Sequence, residues 1–164
     1  MRYIIFYLFI FFFIGCEQQE TTTVTAQPEP SSQDKHSQIK SIESELSLIS
    51  SVAYQENYII QIINHGSPGI LGYKAGAMEG GYAHESDAHN IARYVLTLSG
   101  QKSSDDIQAK KSEIFYTSNC GGCHGHEGKG LNGAFPNLTI KPLLGISMKK
   151  KSLELKLQSL KNSL

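Results

Sequence analysis

Tryptophan is absent from this chain of 164 residues, proline occurs only five times and cysteine three times. An excess of charge of either sign is missing too, since 15 Lys and Arg face 15 Asp and Glu. Without a basic surplus there is no electrostatic footprint for a phosphate backbone, so nucleic acid is excluded as a partner. Removing the first fifteen residues takes away Arg2 and leaves the remainder one unit negative. No run of alternating apolar and polar residues is long enough for a half-buried strand, which makes the expected fold class all-α. Three cysteines are too few, and odd in number, for a disulfide framework. The length suits one domain of ordinary size with an appendage.

One long apolar run is present, from Tyr3 to Ile14, just behind Arg2. Its twelve residues fall short of the roughly 20 that cross a bilayer core as a helix, and they suit the apolar region of a secretory signal. The run closes on Phe13-Ile14-Gly15-Cys16, which resembles the lipobox of bacterial lipoproteins. That resemblance implies removal of residues 1–15, lipidation of Cys16 and anchorage to the periplasmic side of a bacterial membrane. Two acyl chains hold firmly where one holds marginally. The competing reading is a short hydrophobic anchor that ends in Cys by coincidence. Residues 16–37 are rich in Glu, Gln, Thr, Pro and Ser, and read as a disordered tether.

From residue 38 the periodicity is helical. Ile39, Ile42, Leu46, Ile49 and Ala53 form a narrow seam at spacings of three and four. Tyr58, Ile59, Ile62 and Ile63 make a second apolar group that stops at His65-Gly66. Residues 66–85 are glycine-rich loop. Another helix opens at Ser86 or Asp87 and carries Ala88, Ile91, Ala92, Val95 and Leu98. The next opens at Ser103 or Ser104 and runs through Ile107, Ile114 and Phe115 to Cys120. Leu153, Leu157, Leu160 and Leu164 stripe a last, Lys-rich helix.

The chemistry sits in Cys120-Gly121-Gly122-Cys123-His124, a C-x-x-C-H run that is the attachment signature of c-type haem. Two thiols three residues apart reach the two vinyl groups of one porphyrin, and the adjacent histidine then lies under the iron. Such haems are attached outside the cytoplasm, which agrees with an export signal. With Cys16 assigned to lipid, no cysteine is left over. Two other readings of the pair fit less well: a thioredoxin-type redox motif wants a βαβ context, and a zinc site wants four ligands where His124 and His126 are crowded.

Ile114-Phe115, the C-x-x-C-H run, Gly125, Gly128, Gly130 and Phe135-Pro136-Asn137-Leu138-Thr139 together resemble a class I cytochrome c domain. Among such domains the likeness is to those in the dihaem subunit of high-affinity haem-copper oxidases, and it spans roughly residues 52–145. It implies a small helical domain, one covalent haem c, axial His and Met ligands, and electron transfer. It also implies that the Pro136 carbonyl accepts a hydrogen bond from the proximal His124, setting the ring's tautomer.

The pieces stand in an unusual order. No Met loop follows Cys123 at the customary distance, and Met148 lies too close to wrap around a porphyrin. Upstream, however, Tyr58 to Gly66 resembles the helix before the ligand loop. Gly76-Ala77-Met78 resembles that loop, with Glu79 where Pro usually follows, and Ala88 to Ser99 resembles the closing helix. Two explanations compete: a degenerate haemless lobe at residues 52–100, or a circularly permuted single domain in which Met78 is the distal iron ligand. The second is preferred, with one domain at 38–164, core 52–145, and flanking helices 38–51 and 147–164. Those flanking helices then pair as an antiparallel hairpin, or else lie separately on the core or the membrane surface. His65, His84, His89 and His126 read as surface or capping residues, with His84 the next ligand candidate if Met78 is not bound.

The resulting expectation is a lipid-anchored, monohaem, periplasmic electron carrier that is not itself an enzyme and meets redox partner proteins, a reductase or an oxidase. The alternatives are a five-coordinate haem protein that binds small gases or peroxide, and a haem subunit of a larger oxidoreductase complex.

Overall fold

In the computed structural model, residues 31–69, 73–103 and 105–164 are described, so the signal-like run, Cys16 and most of the expected tether lie outside them. Among the described residues the chain forms seven helices and no strand: α1 Ser32–Ile49, α2 Val52–His65, α3 Glu85–Leu98, α4 Asp106–Lys111, α5 Glu113–Asn119, α6 Gly121–His124 and α7 Leu144–Asn162. The all-α expectation holds. None of these helices is long and apolar enough to cross a membrane.

Helix boundaries depart from the periodicity where short polar side chains intervene. α1 starts at Ser32, so residues 32–37 of the expected tether are helical. The reason is a capping box, in which Ser31 and Asp34 satisfy each other's main-chain N–H groups. The apolar seam from Ile39 to Ala53 is cut at Ser50 and Ser51. Ser51 Oγ accepts from Tyr54 N–H at 3.2 Å and opens α2, leaving Ala53 exposed. α3 is capped by the ring of His84, which accepts from Ser86 N–H, and not by Ser86 or Asp87. The single helix expected up to Cys120 turns at buried Ser112, whose hydroxyl donates to Gln108 O at 2.7 Å. That turn leaves Ile107 and Ile114 at 73% and 65% exposure and gives the inner position to Tyr116, fully buried.

The core lies between α2 and α3, with α5 and the start of α7 closing it. Ile59, Ile60 and Ile63 meet Ala88, Ile91, Ala92, Val95 and Leu96, and Tyr116, Leu143 and Ile146 complete the cluster. The two alanines on α3 let the helices approach closely, and each isoleucine buried there contributes roughly 1.5–3 kcal/mol. Arg93 Nε donates to Glu56 at 3.1 Å, tying α3 to α2 beside the apolar contact.

α1 and α7 lie against each other with opposite chain directions. Lys35 Nζ reaches Ser163 O at 2.8 Å at one end, and Lys149 pairs with Glu45 at 2.9 Å toward the other. Such exposed contacts are worth little. The seam does more: Ile42 and Ile49 are buried, while Leu153, Leu157 and Leu160 are half-buried. Leu164 falls beyond the helix and is exposed.

Candidate functional site

The C-x-x-C-H residues sit where α5 gives way to the single turn of α6. Cys120 ends one helix and starts the other; its carbonyl accepts from Cys123 N–H at 3.2 Å and from His124 N–H at 3.0 Å. Both thiols are unpaired. Burial, and then the neighbouring Cys123, push the Cys120 thiol up to about 11, whereas Cys123 is exposed.

After His124 the chain reverses in a glycine loop. Gly130, at φ +76°, donates its N–H to His124 O at 2.8 Å, and a Cβ there would strike the Phe135 carbonyl, so only glycine fits. This reversal brings Pro136 over the imidazole. His124 Nδ1 lies 3.1 Å from Pro136 O. A carbonyl can only accept, so Nδ1 carries the proton and Nε2 keeps its lone pair. Burial holds His124 below the ordinary histidine value and so favours the neutral ring, partly opposed by the Pro136 bond. Phe135 packs edge-on at 6.2 Å, and Asn137 Oδ1 accepts from Thr139 N–H at 2.8 Å, fixing the strand of chain around Pro136.

Met78 comes to the same place from the other half of the sequence. A cavity of about 220 Å³ is lined by Cys120, Cys123, His124 and Pro136 together with Met78, Tyr73 and Ser67. Ile59, Ile63, Ile91, Val95, Leu138 and Leu143 make its walls apolar. The Met78 loop is held against the end of α2: Gly81 N–H donates to Ile63 O at 2.9 Å, and a Cβ at Gly66 would strike Met78 O.

His84 caps α3, and His65, His89 and His126 are exposed; none of the four lines this cavity. Met148 is 43% exposed on α7 and does not line it either. Among the described residues no three His, Cys, Asp or Glu side chains gather to hold a metal ion. Sequence reasoning passed over Ser67 and Tyr116. Tyr116 donates its hydroxyl to Gly125 O at 2.8 Å and packs at a tilt against the Tyr94 ring, 5.1 Å between centroids. Its inward position could have been read from its four-residue spacing to Cys120; nothing in the spacing points to Ser67.

The cavity suits a flat apolar group with one coordinating centre: two thiols at one edge, a neutral imidazole with a free Nε2, and a thioether on the wall.

No family model matches the chain, and no solved structure does. Among curated proteins it is similar to the Cbb3-type cytochrome c oxidase subunit CcoP of Helicobacter pylori strain 26695, 42% identical over 80 residues, which cover 47% of this chain and 28% of that protein. It is similar also to the Cbb3-type cytochrome c oxidase subunit FixP of Azorhizobium caulinodans, 37% identical over 75 residues, covering 44% of this chain and 26% of that one. The chain thus spans little more than a quarter of the length of the curated relatives it matches, and over about half of its own length it is a cytochrome c-like relative of that oxidase subunit.

Proposed function

We propose that this chain carries one haem c, bonded through Cys120 and Cys123, with His124 as proximal and Met78 as distal iron ligand, and that it transfers electrons without catalysing a reaction of its own. The observation that carries this reading is the apolar cavity that Met78 lines together with Cys120, Cys123 and His124. Bound there, the haem would supply a one-electron iron couple. The residues do the rest. Pro136 O holds the imidazole in the Nδ1–H tautomer, so Nε2 faces away from the backbone. The isoleucines of α2 and α3 keep water out, which, with a thioether ligand, favours the less charged reduced state. Among the described residues no carboxylate lines the cavity.

The permuted arrangement gains support from the place where α7 begins. Gly145 lies directly against the Tyr58 hydroxyl, and Lys149 Nζ reaches Tyr54 OH at 3.1 Å, so the end of the C-terminal part abuts the start of α2. An unpermuted chain would run on across that point. A separate haemless lobe would have no reason to share a cavity with Cys120.

The relatives are subunits of a cbb3-type cytochrome c oxidase, and we place this chain with such a membrane oxidase, as a haem subunit or as a carrier anchored through Cys16 on the periplasmic face. Expression with a haem c maturation system tests the core of this. The expected product keeps one haem per chain through acid–acetone extraction and, when oxidised, shows the weak far-red band of thioether–iron ligation. Haem lost on extraction refutes covalent attachment. Prompt carbon monoxide binding by the reduced form refutes Met78 ligation and favours an open, gas-binding haem. Removing residues 147–164 separates subunit from carrier: loss of oxidase association with haem retained identifies α7 as the docking element.

A further inference from the structure

The Met78 loop is poor in anything that would make it stiff. Residues 73–84 contain no proline and three glycines, of which Gly76 and Gly81 take positive φ. A thioether offered to a metal from such a loop would sample many positions, and each would weaken the bond through the entropy of holding it still. The loop nevertheless has one point of attachment at the methionine itself. Met78 N–H donates to Ser67 Oγ at 2.9 Å, and Ser67 N–H donates to Met78 O at 2.8 Å. Both main-chain polar groups of Met78 are therefore satisfied by a single residue.

Ser67 is itself anchored. It follows the C-cap of α2, where Gly66 N–H donates to Ile62 O at 2.9 Å, and α2 is built into the core through Ile59 and Ile63. Ser67 also lines the cavity beside Met78. From this geometry we infer that Ser67 is a positioning residue: its reciprocal hydrogen bonds transmit the rigidity of α2 to Met78 and hold the thioether ready for the iron. This rests on the reading of Met78 as distal ligand. The hydroxyl is the part that matters, because the Ser67 N–H bond survives any non-proline substitution.

The test uses the full haem-loaded chain in its oxidised form and titrates it with imidazole, which competes with Met78 for the iron. Deleting the hydroxyl in Ser67→Ala removes one hydrogen bond of ordinary net strength, so apparent imidazole affinity should rise about fivefold, with weakening of the far-red band. Ser67→Thr, which restores the hydroxyl, should return within about twofold of the parent. Met78→Ala should bind imidazole more tightly still, and adding Ser67→Ala to it should then change nothing. An unchanged affinity in Ser67→Ala overturns the inference, and so does an effect of equal size in the Met78→Ala background. If Met78→Ala itself leaves imidazole affinity unaltered, the ligand assignment falls first, and the role of Ser67 with it.

Discussion

Replacing Tyr116 by Phe isolates one hydrogen bond at the back of the site. The ring is fully buried, so Phe fills the same space and no cavity opens. What is lost is the bond from the hydroxyl to Gly125 O, 2.8 Å long. That carbonyl keeps a second donor, Gly128 N–H at 3.0 Å, so it is not stranded. The expected loss is therefore about 1 kcal/mol, or about 3–6 °C in Tm, against about 3–5 kcal/mol for Tyr116→Ala, which empties the site. There is also a pH signature. Burial, then Cys120 and Tyr94, raise the Tyr116 hydroxyl above its ordinary value of 10.0. Above pH about 10 the unfolded tyrosine therefore loses its proton while the folded one keeps it, so stability falls as pH rises. Phe has no proton to lose, and at about 1.4 kcal/mol per pH unit the gap between parent and Tyr116→Phe should close near pH 11. Thermal or denaturant melts of both chains from pH 7 to 11 measure it. A Phe variant that loses more than about 3 kcal/mol, or a gap that stays constant to pH 11, would refute this account of the packing behind the motif.

The glycine reversal after His124 gives a second prediction. Gly130→Ala combines positive φ with collision against the Phe135 carbonyl and should cost more than about 3 kcal/mol, whereas Gly133→Ala, at φ +70° in open space, should cost about 1. Equal denaturation midpoints for the two would show that the loop relaxes freely. In the haem-free chain, Cys120 should react with iodoacetamide far more slowly than exposed Cys123 at pH 8, where about one Cys120 in a thousand is thiolate, and its rate should climb tenfold per pH unit toward 11. Peptide mapping that finds both labelled equally fast at pH 8 would contradict the burial of Cys120.

Much of the architecture could be read in one dimension because it is local. The α3 stripe of Ala88, Ile91, Ala92 and Val95 turned out to be the face buried against α2, since a period of 3.6 residues is set by the helix itself. Boundaries were harder. The Ile39 to Ala53 seam is continuous in the sequence, yet Ser51 diverts the backbone by capping a new helix, and Ser112 turns it ahead of Tyr116 with a hydroxyl that donates back to Gln108 O. A single side-chain oxygen aimed at the main chain outweighed several apolar residues in phase, because a cap acts on the very bonds that continue a helix. For His84 the sequence leaves a surface or a capping role open from its place beside α3, and only the geometry, with the ring accepting from Ser86 N–H, decides for the cap.

The sequence by itself determined the all-α class and the adjacency of Cys120, Cys123 and His124, since covalent spacing along one turn needs no tertiary information. Whether Met78 belongs with them was a different kind of question. Forty-two residues separate it from Cys120, and its place in the cavity depends on the way α2 packs on α3 and on the way Ser67 and Gly66 grip the loop. Contacts between distant segments arise from the complementary shapes of whole helices. Such complementarity belongs to the packed core and leaves no periodic trace in the chain.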